Sequence, residues 1–197
     1  MKYEAKNFDR LLGTDGFSDQ LLKNHFTLYS GYVDNTNKLI AALAAAAKEG
    51  RTNTPEWAEI NRRFGWEFNG MRLHELYFGN MVKGGGALDT GSKLNQRIRD
   101  DFGSLEEWTK QFKGVGTMRG IGWTVLYYDA VAGRLLNTWV NEHDFGHLCG
   151  AAPLLIMDVF EHAFMIDYGL KRADYIEAFF KAIDWRTVSG RFEGAAK

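Results

Sequence analysis

Asp158 and His162 stand four residues apart in the run Asp158-Val159-Phe160-Glu161-His162-Ala163-Phe164, set among apolar and aromatic neighbours. A carboxylate oxygen and an imidazole nitrogen in a dry setting suit a first-row transition metal of intermediate hardness, such as iron or manganese. Alone, the pair fits a hydrogen-bonded core feature equally well. The chain has five histidines: His25, His74, His143, His147 and His162. His25 and His74 fall on the apolar sides of two candidate helices, and each taken singly fits a buried structural histidine. Joined to Asp158 and His162, they complete a set of three neutral imidazoles and one carboxylate with room for a solvent ligand. A metal held that way is poised for one-electron chemistry and polarises its water. Zinc would accept the same donors, but closed structural zinc sites usually use thiolates, and the single cysteine, Cys149, is isolated. An iron oxygenase needs two histidines and one carboxylate with several open positions; four protein ligands leave too few.

The elements that must carry these groups follow from periodicity and capping. Residues 1–16 read as an irregular lead-in closing at Gly13-Thr14-Asp15-Gly16. From Ser18, apolar Leu21, Leu22, Leu28, Tyr32 and Leu39 recur at threes and fours. The alanine-rich run to Glu49 then stops at Gly50, which predicts one long helix. Thr54-Pro55-Glu56 is a strong helix start. The second helix places Trp57, Ile60, Phe64, Phe68, Met71 and His74 on one side and ends near Met81. A short link makes the two antiparallel neighbours. The flexible run Lys83-Gly84-Gly85-Gly86-Ala87 marks a boundary between an N-terminal helical hairpin domain, 1–84, and a C-terminal domain, 85–197.

Beyond the boundary, Leu94 to Phe102 reads as a helix, and Ser104 with Glu107 is a capping box opening another to about Phe112. Trp123–Tyr128 and Leu135–Val140 are β-rich runs around a turn at Ala132-Gly133, a hairpin. A third strand, Leu154–Met157, leads into Asp158. Arg172 to Ile183 is the last expected helix, with 184–197 a terminal turn and tail. The predicted class is α+β: a helical hairpin domain followed by an α/β domain with a small antiparallel sheet.

Composition narrows the function classes. A net charge of −1 gives no footprint for nucleic acid or an anionic membrane, and 45% hydrophobic with 25% charged residues is ordinary for a soluble domain. The N-terminus lacks a signal-peptide core, and no apolar run approaches the about 18 residues of a membrane span. One cysteine excludes an internal disulfide and suits a reducing compartment, so the expectation is a soluble cytoplasmic protein. Aromatic content is high, 14% with six Trp, and packed aromatics keep water from a site.

Several motifs occur in order along the chain: Tyr32-Val33 with Asn35 and Asn37, His74 with Tyr77-Phe78, Phe102-Gly103-Ser104, and Gly120-Ile121-Gly122-Trp123. Pro153-Leu154-Leu155, the stretch from Asp158 to Tyr168, Tyr175 to Phe180, and Asp184-Trp185 follow. In these the chain resembles the iron/manganese superoxide dismutase family over nearly its whole length. The resemblance implies an α-helical hairpin domain and an α/β domain with a three-stranded antiparallel sheet. It also implies one iron or manganese ion per subunit on His25, His74, Asp158 and His162, with superoxide as substrate. Tyr32 would be the gateway tyrosine beside the substrate funnel, and Trp123 part of the aromatic wall. Self-association as a homodimer or a tetramer is implied as well. A non-catalytic metal-binding or structural relative of the fold is the alternative.

The chain departs from the family pattern in places. His25 and Tyr32 are seven residues apart, one fewer than the family spacing, which puts them on one face of a regular helix, about 20° apart. A gapless alignment on Tyr32 would put Asn24 in the ligand position; His25 is the expected ligand. The family sets a glutamine against the metal-bound solvent from one of two positions, which here are Gly70 and His143. His143 is expected to donate to that solvent and tune its proton affinity, and His147 is expected to be structural. Phe160 replaces a tryptophan between Asp158 and His162. Met165 replaces an interface tyrosine, and its family partner, a first-helix histidine, is also missing (Leu28 or Tyr29 instead). Glu161 remains, and by resemblance bonds the partner subunit's His162.

Overall fold

Four hydroxyl groups open the first four helices of the computed structural model, which describes residues 2–197. Ser18 Oγ accepts from Leu21 N at the start of α1 (Asp19–Lys48), and Thr54 Oγ1 accepts from Trp57 N before α2 (Pro55–Gly79), with Pro55 in the first turn. Ser92 and Ser104 do the same for α3 (Lys93–Phe102) and α4 (Leu105–Gly116). Each hydroxyl satisfies an N–H that has no partner within its helix, which is why α2 and α4 start at the capping signals Thr54 and Ser104. α1 and α2 pack along one another. Their inner faces hold Leu21, Leu22, His25, Tyr29 and Val33 from α1 against Met71, His74, Tyr77 and Phe78 from α2.

The second half is built on a three-stranded antiparallel sheet of order β2-β1-β3, with β1 (Gly122–Asp129), β2 (Arg134–Asn141) and β3 (Ala152–Asp158). The central strand, β1, is buried along nearly its whole length, as expected for a strand covered on both faces. Its register places Trp123 opposite Asp158 on one side and Val140 on the other. Helix α4 packs on β1 and β2, while α2 and α7 (Trp185–Ala195) pack on β3. After β3 the chain forms a 3-10 turn, Glu161–Ala163, the one-turn helix α5 (Met165–Tyr168) and α6 (Arg172–Lys181). Tyr175 of α6 donates its hydroxyl to the Asp158 main-chain carbonyl at 2.6 Å.

Two expectations need correction. Residues 184–197 are not a turn and tail, since most of them form α7. Asp184 caps it by accepting from Thr187 N, Val188 and Phe192 are buried, and Arg191 donates to the main-chain oxygens of Leu154 and Leu76. Leu28, counted among the inward residues of α1, is 38% exposed. The inner stripe runs through His25, Tyr29, Val33 and Thr36 instead, the phase of 3.6 residues per turn. Smaller differences are that α4 runs one turn past Phe112 and that a 3-10 turn, Asp9–Leu11, interrupts the lead-in.

Phe192 seats α7 on the sheet through an edge contact with Tyr128, ring centroids 5.0 Å apart. Truncating a buried phenylalanine costs about 3–5 kcal/mol. Phe192→Ala is expected to lower the unfolding free energy measured by urea titration by that order, and an unchanged value would show that Phe192 does not anchor α7.

Candidate metal centre

Three stretches distant in sequence bring four donors to a common point. α1 supplies His25, α2 supplies His74, the last residue of β3 is Asp158, and the following 3-10 turn carries His162. One ligand atom from each lies within 4.8 Å of the others. The three Nε2 atoms face the same carboxylate oxygen, Asp158 Oδ2, at 3.1 Å from His25, 3.6 Å from His74 and 3.2 Å from His162. The other oxygen, Oδ1, accepts from Phe160 N at 2.9 Å. The side chains of His25, His74 and Asp158 are wholly buried, and that of His162 is the one that reaches solvent.

Hydrogen-bond bookkeeping shows what this arrangement requires. His74 Nδ1 lies 2.5 Å from the carbonyl oxygen of Gly70. A carbonyl only accepts, so Nδ1 carries the proton and Nε2 presents a bare lone pair. That atom has no hydrogen-bond partner among the described residues and faces a carboxylate oxygen. Burial, and then the neighbouring His25, push the His74 pKa well below its ordinary value; burial lowers that of His25 against the pull of Asp158. Burial pushes the Asp158 carboxyl up, but His162 and His25, through charge and hydrogen bonds, more than offset it and hold the group well below the usual carboxylate range. A neutral His74 lone pair therefore faces an ionised carboxylate in a dry pocket. Two acceptors facing one another with no proton between them are costly, and a cation between them resolves the conflict. Three nitrogens and one oxygen fit iron or manganese.

A second ring of groups encloses the first. Tyr32 stacks on His74 with centroids 5.2 Å apart, and Trp123 meets the same imidazole edge-on at 4.9 Å. His143 is buried on the loop after β2, where its Nε2 lies 2.8 Å from Tyr32 Oη and its Nδ1 accepts from Trp123 Nε1 at 3.1 Å. Indole N–H only donates, so neutral His143 must carry its proton on Nε2 and donate it to Tyr32. Phe160 stacks on one side of this ring at 4.8 Å, and Trp66 packs edge-on against it at 4.7 Å. Burial is the main cause of the shifts of both groups, His143 down to about 4 and Tyr32 up to about 12. Both are neutral at physiological pH. Glu161 is exposed next to His162.

Two of the departures noted in the sequence acquire physical reasons. α1 is an unbroken α-helix through His25 and Tyr32, so a spacing of seven suffices to keep both on the inner side. Asn24 points outward and accepts from Gln20. Gly70 leaves no room for a side chain, because a Cβ there would stand 2.6 Å from the Tyr32 ring. Sequence reasoning missed Trp66 as a neighbour of His143. Its signal was present, an aromatic residue two turns before His74 on the same helix.

The fold and the donor set together define a class of protein: a mononuclear metalloprotein with its ion clamped between a helical pair and the end of an antiparallel sheet. Comparison with known proteins narrows the class. Residues 89–191 match the family model described as iron/manganese superoxide dismutases, C-terminal domain. An iron superoxide dismutase of Aquifex pyrophilus is 35% identical, covering 100% of this chain and 93% of the relative. A manganese superoxide dismutase of Haloferax volcanii is 36% identical over 91% of this chain and 89% of its own length. The chain belongs to the iron/manganese superoxide dismutase family.

Two outcomes test the centre. His25→Ala is expected to abolish metal retention and Asn24→Ala to preserve it, read by elemental analysis; the reverse would overturn the choice of His25. The second concerns pH. Above about 6.5 His25 and His74 are neutral in both folded and unfolded chains. Below that value the unfolded chain takes up protons that the folded one refuses, so stability falls with pH. Asp158, depressed when folded, contributes above its unfolded value and loses that contribution only as pH falls through its own lower one. The urea midpoint of metal-free protein should therefore drop between about pH 7 and about pH 5, and a constant midpoint would mean that the folded state accepts the protons.

Proposed function

We propose that this protein is a superoxide dismutase, disproportionating superoxide to dioxygen and hydrogen peroxide at a single iron or manganese ion held by His25, His74, Asp158 and His162. The observation that carries the reading is the convergence of three imidazole nitrogens on Asp158 Oδ2, with the His74 lone pair lacking a partner. Relatives matched over most of their length are named as iron and as manganese superoxide dismutases. The chemistry the ion supplies when bound is one-electron transfer, from one superoxide and then to a second that leaves with two protons as hydrogen peroxide.

The chain's own residues prepare that chemistry. Asp158 contributes the one negative charge of the donor set, and the Phe160 N–H and the Tyr175 hydroxyl fix its orientation. His143 donates to Tyr32 Oη, so the Tyr32 hydroxyl must direct its own proton elsewhere, toward solvent or an arriving anion. With its pKa pushed up to about 12 by burial, Tyr32 keeps that proton at neutral pH and can lend it as a hydrogen bond. Trp123, Phe160 and Trp66 surround His143 and keep bulk water from it. Superoxide enters on the side of Tyr32 and His162, the partly exposed members. A homodimer fits the surface beside His162, where exposed Glu161 borders apolar Met165 and Ile166. The lone cysteine suits the cytoplasm.

Superoxide consumption measured together with metal content tests the reading. Protein loaded with iron or manganese should consume superoxide; loaded protein that does not would remove the assignment. His143→Ala should stay folded and metal-bound with turnover reduced about 10- to 100-fold, the usual cost of losing a group that orients a metal site. Unchanged turnover would take His143 out of the mechanism.

A further inference from the structure

His147, which the sequence offers only as a structural residue, lies between two groups that matter to His143. Its Nε2 is 2.8 Å from the main-chain oxygen of His143, and its Nδ1 is 2.9 Å from Tyr127 Oη. The carbonyl only accepts, so His147 Nε2 donates to it, and the Tyr127 hydroxyl donates to Nδ1. Tyr127 is buried, and burial pushes its pKa up to about 12, so it remains a donor. Both hydrogen bonds of His147 thus have a fixed direction.

The strand beneath supplies the rest of the geometry. Tyr127 and Trp123 are four residues apart on β1, hence on the same face. Trp123 holds the His143 ring by its Nδ1, and Tyr127 holds the His143 main chain through His147. One strand therefore grips one residue at two places. The segment between needs such a grip. Glu142 adopts a left-handed conformation, φ 50°, in which the Cβ of a non-glycine residue crowds the following carbonyl oxygen. Gly146 has φ 101°, and a Cβ there would come within 2.4 Å of the Trp139 carbonyl oxygen. Such backbone persists where surrounding contacts over-determine it.

We propose that the Tyr127–His147 pair is a positioning device that fixes the height and orientation of His143 against Tyr32, and so contributes to turnover without touching substrate or metal. The proposal rests on the reading of His143 given above. It is tested on the metal-loaded full-length protein with His147→Leu, Tyr127→Phe and His147→Gln, because glutamine can accept from Tyr127 at one end and donate to the carbonyl at the other. Two quantities are read: amide hydrogen exchange of the segment 141–147 by mass spectrometry, and turnover. His147→Leu and Tyr127→Phe should each speed exchange of that segment and lower turnover about tenfold, leaving exchange of α1 and α2 unchanged. His147→Gln should restore both to within about twofold, and the double variant should be no worse than either single one, because both break one chain of contacts. Exchange and turnover near wild type in His147→Leu would overturn the proposal, as would a glutamine variant as impaired as the leucine one. If His147→Leu does not fold, Tyr127→Phe, which loses only a hydroxyl, carries the test. Loss of segment protection with turnover unchanged would refute the link to catalysis, whereas an inactive wild type would refute the functional reading and leave the exchange result to judge the strut alone.

Discussion

A carboxylate with no exposed surface, facing three imidazole nitrogens and, among the described residues, no lysine or arginine, is the constraint around which the molecule is arranged. An isolated buried charge would cost many kcal/mol, and a protein normally avoids it by protonating the group. Here Asp158 stays ionised, because one oxygen is held by Phe160 N–H and the other faces His25 and His162, whose hydrogen bonds favour the charged form. The surroundings are consistent with keeping that charge fixed in place. Tyr175 holds the Asp158 carbonyl, and Tyr77 Oη lies 3.1 Å from Tyr175 Oη, extending the chain of contacts into α2. Because α1 and α2 supply two nitrogens and the sheet supplies the oxygen, an ion at the centre ties the two halves of the fold together. Its binding energy then becomes folding energy.

The same constraint explains how this chain meets its ligand geometry with one residue fewer between His25 and Tyr32. An uninterrupted helix returns nearly to its starting direction after seven residues, so both side chains face inward without a bulge. Tyr32 then lies across Gly70, filling the space that a side chain at that position would need. With Tyr32 placed there, a hydrogen-bonding side chain at position 70 is excluded on steric grounds. The remaining approach is from the loop after β2, where His143 stands. The helix phase, the glycine and the histidine are one solution in three parts.

Much of this was legible in the sequence where the physics is local. Capping residues at Thr54 and Ser104 mark helix starts because the hydroxyl bonds an N–H three residues on. The ligand set could be read because histidines are few and because helix periodicity shows which of them face inward. α7 was not legible. With Gly190 and Gly194 inside it and only Val188 and Phe192 as buried anchors, its stability comes from packing on β3 and from Arg191 reaching main-chain oxygens of distant segments. The partners of His147 were hidden for the same reason. Tyr127 lies twenty residues away on a strand, and a polar pair of that kind leaves no periodic trace.

Direction of proton donation is the feature that lifts the site beyond a metal cage. An indole and a carbonyl have no freedom in their roles, since one can only give and the other only receive. Trp123 therefore forces His143 to donate toward Tyr32, and Tyr32, already accepting, must turn its own hydrogen away from His143. Protonating His143 on both nitrogens would break the Trp123 bond and place a charge among Phe160, Trp66 and Trp123, which is why burial drives its pKa down. The imidazole is thus kept as a neutral donor of fixed orientation, and the hydroxyl at the mouth of the site is left with one proton that no protein group accepts from it through His143. In the mechanism proposed above, a reaction that consumes two protons and must not lose the negative field of Asp158 would gain from having a nearby proton held on Tyr32, a group that cannot pass it back through His143.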